Sequence, residues 1–235
     1  MATAIVTGAT GAIGQEICRL FAEAGVNVCL FYHSRAAEAE ALAADLARKY
    51  GVRTVWHAVD LADPASIRQA FDYFYSVFGH CDYLVNNAAV SLVKPVSMMS
   101  DAEWDRVLAT DLSACYHTAR AVLDEMYHSG GSILNVGSMW GQLGASCEVA
   151  YSAAKAGLEG LTRALADEYA GSVRVNCLSL GYVDTPMNAH MSEEDKAAFF
   201  RENPTMRCLS AEEAAQAVYD LANEDVSGEV RRFGW

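Results

Sequence analysis

The stretch ATAIVTGATGAIGQEICRLFAEAG, residues 2–25, decides the fold. Its first five residues, 2–6, form an apolar run that suits a buried strand. Thr7 to Gly14 then reads TGATGAIG, and a helical pattern follows over 15–24. Gly8, Gly11 and Gly14 allow a tight turn, close backbone approach and close helix–strand packing, and the helix that starts there aims free N–H groups at an anion. Such a trio between a first strand and a first helix predicts a nucleotide pyrophosphate site. A tight β–α turn that binds nothing is the plain alternative.

Outward from this unit the pattern repeats. Apolar runs at 26–31, 54–59, 83–85, 132–136, 173–178 and 229–233 alternate with helix-like segments at 36–50, 64–78, 101–127, 151–169 and 211–222. Runs that stay apolar suit strands covered on both faces. Their alternation with helices predicts an α/β fold: a doubly wound, Rossmann-like parallel sheet of about seven strands with helices on both faces. Asp63 with Pro64, and Ser210, are expected helix starts. No linker or repeat divides the 235 residues, so one domain over 1–235 is expected. The irregular insert 182–204 contains MNAHMSEEDKAAFF. It reads either as a flap over a site or as an ordinary surface helix.

Thirty acidic residues against 17 basic ones give a net charge of −13, which repels nucleic acid and anionic membranes alike. The seven cysteines are odd in number and form no C-x-x-C pair, which argues against a disulfide framework and a zinc site, so no metal is expected. Reduced thiols, a start without a basic leader and the lack of a long apolar span predict a cytoplasmic protein.

The second strand runs into FYHSRAAE, residues 31–38. An acidic residue belongs there when NAD binds, because it holds the ribose 2′-hydroxyl. The positions hold Tyr32, His33, Ser34 and Arg35 instead, with no carboxylate before Glu38. Arg and Ser suit a 2′-phosphate, so NADP (NADPH) is favoured over NAD. Asp60, closing the third strand in VDL, is placed to accept from an adenine amino group, or is a plain loop aspartate.

YSAAK, residues 151–155, sets Tyr151 and Lys155 one helical turn apart on one face. Alone, such a pair is an ordinary surface pair. Ser138, at the end of the fifth strand in ILNVGSMWG, lies 13 residues earlier. Ligands of open parallel sheets bind beyond the carboxyl ends of the strands. The glycine loop, Ser138 and the Tyr151–Lys155 helix therefore converge on one crevice. A free tyrosine titrates near ~10, and an ammonium in a water-poor crevice can lower that toward neutrality.

The chain resembles the short-chain dehydrogenase/reductase family in its single-domain branch. The resemblance spans nearly its whole length: TGATGAIG, VDL at 59–61, NNAA at 86–89, GS at 137–138, YSAAK, and LGYVDTPM at 180–187. It implies hydride transfer between a nicotinamide and a carbonyl or alcohol carbon. It also implies roles for residues. Ser138 would hydrogen-bond the substrate oxygen, Tyr151 would pass it a proton, and Lys155 would hold the nicotinamide ribose and lower the tyrosine pKa. Gly8, Gly11, Ile13, Gly14, His33, Ser34, Arg35, Asp60, Leu61, Asn87, Ala88, Tyr151, Lys155, Val183 and Thr185 would contact the cofactor, and Asn86 would brace the central strand beside the adenosine. Asp111 stands where the family's fourth catalytic residue, an asparagine, is expected. Its backbone carbonyl is the group expected to work. Ala12, Ala89 and Leu180 depart from usual glycine, glycine and proline.

The resemblance is nearest to the 3-oxoacyl-carrier-protein reductases, which implies NADPH-dependent reduction of a ketone, small or thioester-bound, to a secondary alcohol by a homo-oligomer, a tetramer packed through the helices around 101–127 and 151–169. Those reductases carry arginines where this chain has YHSGGS and EYAGSV, and Arg120 and Arg174 are expected to face the interior. SMWGQLGASCEVAYSAAK also looks like the branch that reduces a ketone appended to a lysine of elongation factor P. An NADP-binding regulator without turnover is the non-enzyme alternative, opposed by intact Ser138, Tyr151 and Lys155.

Overall fold

The computed structural model describes residues 1–189 and 191–235. Position 190 of the expected flap lies outside the described residues. Strands β1 (Thr3–Thr7), β2 (Asn27–Tyr32), β3 (Thr54–Ala58), β4 (Tyr83–Asn86), β5 (Gly131–Ser138), β6 (Val173–Leu180) and β7 (Val230–Phe233) form one sheet in the order β3-β2-β1-β4-β5-β6-β7, every pairing parallel. The helices between them are α1 (Ala12–Glu23), α2 (Ala36–Tyr50), α3 (Pro64–Phe78), α4 (Asp101–Leu108), α5 (Ala114–Ser129), α6 (Trp140–Leu143), α7 (Val149–Glu168), α8 (Glu193–Glu202) and α9 (Ala211–Asn223).

Successive side chains of a strand point to opposite faces, and both faces here are apolar. Ala4 and Val6 of β1 and Leu30 of β2 join Ile17, Phe21, Leu42, Leu46 and Val218, so α1, α2 and α9 cover one face. Ile5, Cys29 and Phe31 join Ile67, Phe71, Val122, Met126 and Ala166, so α3, α5 and α7 cover the other. This two-sided burial is why the sequence shows runs rather than alternation.

Helices 36–50 and 64–78 lie where the sequence places them, and Asp63 caps α3 through the Ala65 and Ser66 amides. The expected helix 101–127 is instead broken. A capping box of Ser100 and Glu103 starts α4, and a π-helical turn, Ala109–Ser113, separates it from α5. A π turn lodges one extra residue in a helix, and here it carries buried Asp111. Strand β6 runs past 178 to Leu180, which pairs with Ser138 and Phe233. A proline at 180 would lack the ladder amide, whereas leucine keeps it.

Polar groups tie the central strands to two helices. Asn86 Nδ2 donates to Asn135 Oδ1 (2.9 Å), Thr118 Oγ1 to Asn86 Oδ1 (2.8 Å), and Asn135 Nδ2 to Thr162 Oγ1 (2.9 Å). All four residues are buried. The chain links β4, β5, α5 and α7 and sets how α7 stands on the sheet. Asn86 is thus turned into the packing between elements, where it does brace β4, rather than toward the nucleotide crevice. Asn135→Ala leaves Asn86 and Thr162 each short of a partner in a dry interior. It is expected to lower unfolding free energy by about 2–4 kcal/mol in urea melts. A loss below ~0.5 kcal/mol would show that the chain contributes no net stability.

Candidate active site

The carboxyl ends of β1, β4 and β5 flank the switch in strand order, where open sheets bind ligands. Two adjoining cavities open there. The larger, about 450 Å³, is lined by Gly8, Gly11, Ile13, Gly14, His33, Ser34, Arg35, Asp60, Leu61, Asn87, Ala88 and Thr185, among others. The smaller, about 160 Å³, is lined by Ser138, Tyr151, Lys155, Val183 and again Ile13, Asn87 and Thr185. The structure therefore brings together every site residue expected from the sequence except Asp111, which lies buried behind the cavity wall against Lys155.

The glycines of the first loop serve distinct ends. Gly8 sits at φ +63°, and a Cβ there would lie 2.9 Å from the Ala88 Cα. A side chain at Gly14 would run into the Gly8 carbonyl oxygen. Gly11 N–H closes the turn on the Gly8 carbonyl at 2.9 Å. Ala12 opens α1, where its methyl is tolerated, and the first turn carries no acidic residue. The loop is clamped to β4: Asn87 and Ala88 amides both donate to Thr7 Oγ1 (3.0 Å each), and Asn87 Nδ2 donates to the Thr7 carbonyl at 3.0 Å. An open helix N-terminus above a cradle that any Cβ would fill fits the pyrophosphate of a dinucleotide.

At the adenosine end, Asp60 accepts from the Ala62 amide at 3.0 Å and also lines the cavity. Arg35 is exposed and pairs with Glu38 at 3.1 Å, so the guanidinium meant for a 2′-phosphate is shared with a carboxylate. Arg106, on α4, is a second cation on this wall that the sequence reading did not single out.

At the other end, Lys155 is buried. Its Nζ donates to the Val136 carbonyl at 3.0 Å, stands 3.9 Å from Asp111 Oδ2, and lies 5.5 Å from the Tyr151 ring centre. Burial opposes its charge, but Tyr151 and Asp111 outweigh that and hold its pKa above the ordinary lysine value. For Tyr151, burial raises the pKa, with Asp111 and Glu148 adding to the rise, while Lys155 and Ser138 pull it down. Lys155 thus acts in the expected direction, yet burial prevails and the phenol stays above its usual value. Tyr151 therefore holds its proton at neutral pH.

Asp111 accepts from the Val90 amide at 2.8 Å through Oδ1, while Oδ2 has no hydrogen-bond partner among the described residues. Burial raises its pKa to about 6 against the pull of Lys155 and the Val90 amide. Arg174 reaches the Ala222 carbonyl, as expected of an inward residue, but Arg120 is exposed on α5 beside Arg68 and His117, contrary to the expectation that it faces the packing. The smaller cavity also holds Ser91, Trp140, Glu148, Tyr182 and Phe199, which sequence reasoning passed over. Glu148 was visible three residues before Tyr151. The insert 182–204 supplies Met187, Asn188, Met191 and Phe199 to this wall.

A family model described as short chain dehydrogenase matches residues 2–196. A 3-oxoacyl-acyl-carrier-protein reductase of Aquifex aeolicus is 36% identical over 231 residues, 96% of this chain and 93% of the relative. A cis-4-hydroxycyclohexanecarboxylate dehydrogenase of Sinomonas cyclohexanicum is 36% identical over 227 residues, covering 95% and 90%. A D-beta-hydroxybutyrate dehydrogenase of Rhizobium meliloti is 32% identical over 239 residues, covering 96% and 93%. The chain belongs to the short-chain dehydrogenase family and is an oxidoreductase. Among the described residues no helix is long and apolar enough to cross a membrane.

Asp111 generates a test. Its folded pKa stands above its ordinary value, so its stabilising contribution is complete below 3.8 and is lost as pH rises through about 6. Asp111→Asn cannot ionise. Its stability relative to the wild type is expected to rise by on the order of 1–3 kcal/mol between pH ~4 and pH above about 6, on top of a fixed cost for removing the partner of Lys155. Thermal melts at acid and mildly alkaline pH read the difference directly. Turnover is expected to persist, because the substitution keeps the backbone carbonyl, the group expected from the sequence to act at this position. A loss of about a hundredfold in kcat would instead place the carboxylate in the chemistry.

Proposed function

We propose that this short-chain dehydrogenase reduces a ketone to a secondary alcohol with NADPH. The observation that carries the reading is the convergence of Ser138, Tyr151 and a buried Lys155 on a cavity that adjoins a glycine cradle fit for a dinucleotide. The nicotinamide supplies the hydride when bound. Ser138 hydrogen-bonds the carbonyl oxygen and orients it. Tyr151 donates its proton to that oxygen as negative charge develops there. Lys155 stabilises the phenolate left behind, at a distance where burial keeps their attraction strong. Thr185 and the backbone near Val183 would hold the carboxamide of a bound nicotinamide, and Lys155 its ribose.

Reading the cofactor as NADPH rests on Arg35 and Ser34 at the end of β2, where a carboxylate for the ribose is missing. A second reading, reduction of a ketone carried on a lysine of elongation factor P, is favoured by one observation. The stretch that resembles that branch contributes Ser138, Met139, Trp140 and Glu148 to the substrate cavity. The likeness therefore falls on the walls that select substrate. Assembly as a homo-oligomer is supported by Tyr116 and Tyr127, which α5 leaves exposed.

Tyr151→Phe keeps the ring and removes the acid, so ketone reduction is expected to fall ~10²–10⁴-fold while NADPH binding stays within a few-fold. Spectrophotometric NADPH oxidation over a panel of ketones, with fluorescence titration for binding, gives both values. Substantial turnover in the purified variant would sink the mechanism.

NADPH is expected to exceed NADH in kcat/KM, and Arg35→Ala to reduce that preference roughly 10- to 150-fold. Glu38→Gln frees the guanidinium and is expected to move the ratio the other way. A wild type that favours NADH would overturn the cofactor assignment.

A further inference from the structure

The substrate-side cavity carries one acid that the chemistry of carbonyl reduction does not use. Glu148 precedes α7 and lies three residues, roughly one helical turn, before Tyr151. It is half-buried and lines the same cavity as Ser138 and Tyr151. Ser91, from the loop after β4, donates its hydroxyl to Glu148 Oε1 at 2.6 Å. This bond fixes the side chain and occupies one carboxylate oxygen. The loops that carry the two residues are themselves joined, the Lys94 amide donating to the Cys147 carbonyl at 2.7 Å.

Among the described residues that line the cavity, no cation is free to neutralise that carboxylate. Lys94 spends its ammonium on Glu103, with both contacts at 2.9 Å. Lys155 is the other charged residue among the described ones lining the cavity, and it is committed to the Val136 carbonyl, Asp111 and Tyr151. A half-buried carboxylate with a free side facing a binding cavity favours a cation there.

A second, independent feature agrees. Trp140, Tyr182 and Phe199 line the same space, with Phe199 6.0 Å from the Trp140 ring and 6.1 Å from the Tyr182 ring, centre to centre. Aromatic faces attract cations through their quadrupoles and have no such affinity for a carboxylate. One carboxylate within an aromatic wall is the chemistry that holds an ammonium group.

We propose that Glu148, held by Ser91, selects ketones that carry an ammonium group a few bonds from the carbonyl and disfavours ketones that carry a carboxylate. The proposal rests on the ketone-reductase reading and names the substrate class of that site. It also makes electrostatic sense for Tyr151. Glu148 lies close enough to oppose ionisation of the phenol, and a bound ammonium offsets that influence as the proton leaves.

Three ketones of one shape test it: 4-aminocyclohexanone, 4-methylcyclohexanone and 4-oxocyclohexanecarboxylate, charged +1, 0 and −1 at neutral pH. With the full-length enzyme and NADPH, kcat/KM is expected to fall in that order, by about tenfold or more between the first and the last. Glu148→Gln is expected to bring the amine-to-carboxylate ratio to near one, and Glu148→Lys to invert it. Ser91→Ala is expected to weaken the ratio by loosening the carboxylate. A wild type that prefers the carboxylate ketone, or a ratio unmoved by Glu148→Gln, overturns the proposal. If none of the three is reduced, the ketone-reductase reading fails for this class. Calorimetric binding of 4-aminocyclohexanol against 4-hydroxycyclohexanecarboxylate then decides the selection alone. Tighter amine binding that Glu148→Gln abolishes supports it, and equal binding of the two refutes it.

Discussion

An ammonium group buried beside a tyrosine is the constraint around which the site is built. Removing a cation from water costs several kcal/mol even after relaxation, so the surroundings must compensate. Lys155 is compensated by three elements at once: the Val136 carbonyl of β5, Asp111 of the π turn, and the Tyr151 ring of its own helix. Those elements must then stand at fixed distances. The buried chain from Asn86 through Asn135 to Thr162 sets α7 against the sheet. Small residues permit the rest. A Cβ at Gly141 would lie 2.8 Å from the Lys155 backbone, and one at Gly157 would lie 2.8 Å from a Leu112 methyl. Short side chains in and around YSAAK are therefore what lets the turn at 140–143 and the π turn close over the lysine.

The same burial decides the resting state of the acid. Ammonium and serine alone would favour a phenolate; burial, Asp111 and Glu148 favour the phenol, and they win. A tyrosine that starts protonated is set for donating to a carbonyl oxygen. The reverse reaction needs the phenolate and so gains as pH rises. The balance between one cation and two flanking carboxylates is a feature that YSAAK alone does not reveal.

What the sequence made legible was local. The glycine spacing, the end of β2, Ser138 and the Tyr151–Lys155 pair each lie within a few residues of a strand end, so their geometry follows from helix and strand periods. Features that depend on packing between distant segments were not legible. The π turn reads as continuous helix because its amphipathic pattern is unbroken. Arg120 was expected inward, yet the period of α5 turns it to the surface beside Arg68. Asn86 was expected to brace the central strand, yet the partner through which it does so, Asn135, is 49 residues away, a pairing no local pattern announces. Glu148 stood in plain view, and only the meeting of its loop with that of Ser91 shows that it is held at the cavity wall.

The net charge of −13 sharpens what the nucleotide cleft must do. A dinucleotide phosphate is anionic, and so is the protein that is to hold it. Long-range attraction works against the encounter, so recognition has to be short-range. The cleft meets this with backbone rather than side chains at the pyrophosphate: the glycine turn and the amides that open α1, with no acid in that first turn. Among the described residues, formal cations enter the wall only as Arg35 and Arg106. Of these Arg35 is already engaged by Glu38. On the NADPH reading, a 2′-phosphate has to compete with that carboxylate for Arg35. A cofactor without the 2′-phosphate leaves the Arg35–Glu38 pair intact and gains nothing from it. On the NADPH reading, discrimination between the two nucleotides falls to Arg35 and its neighbours and to Arg106, while the glycine cradle faces what the two cofactors share.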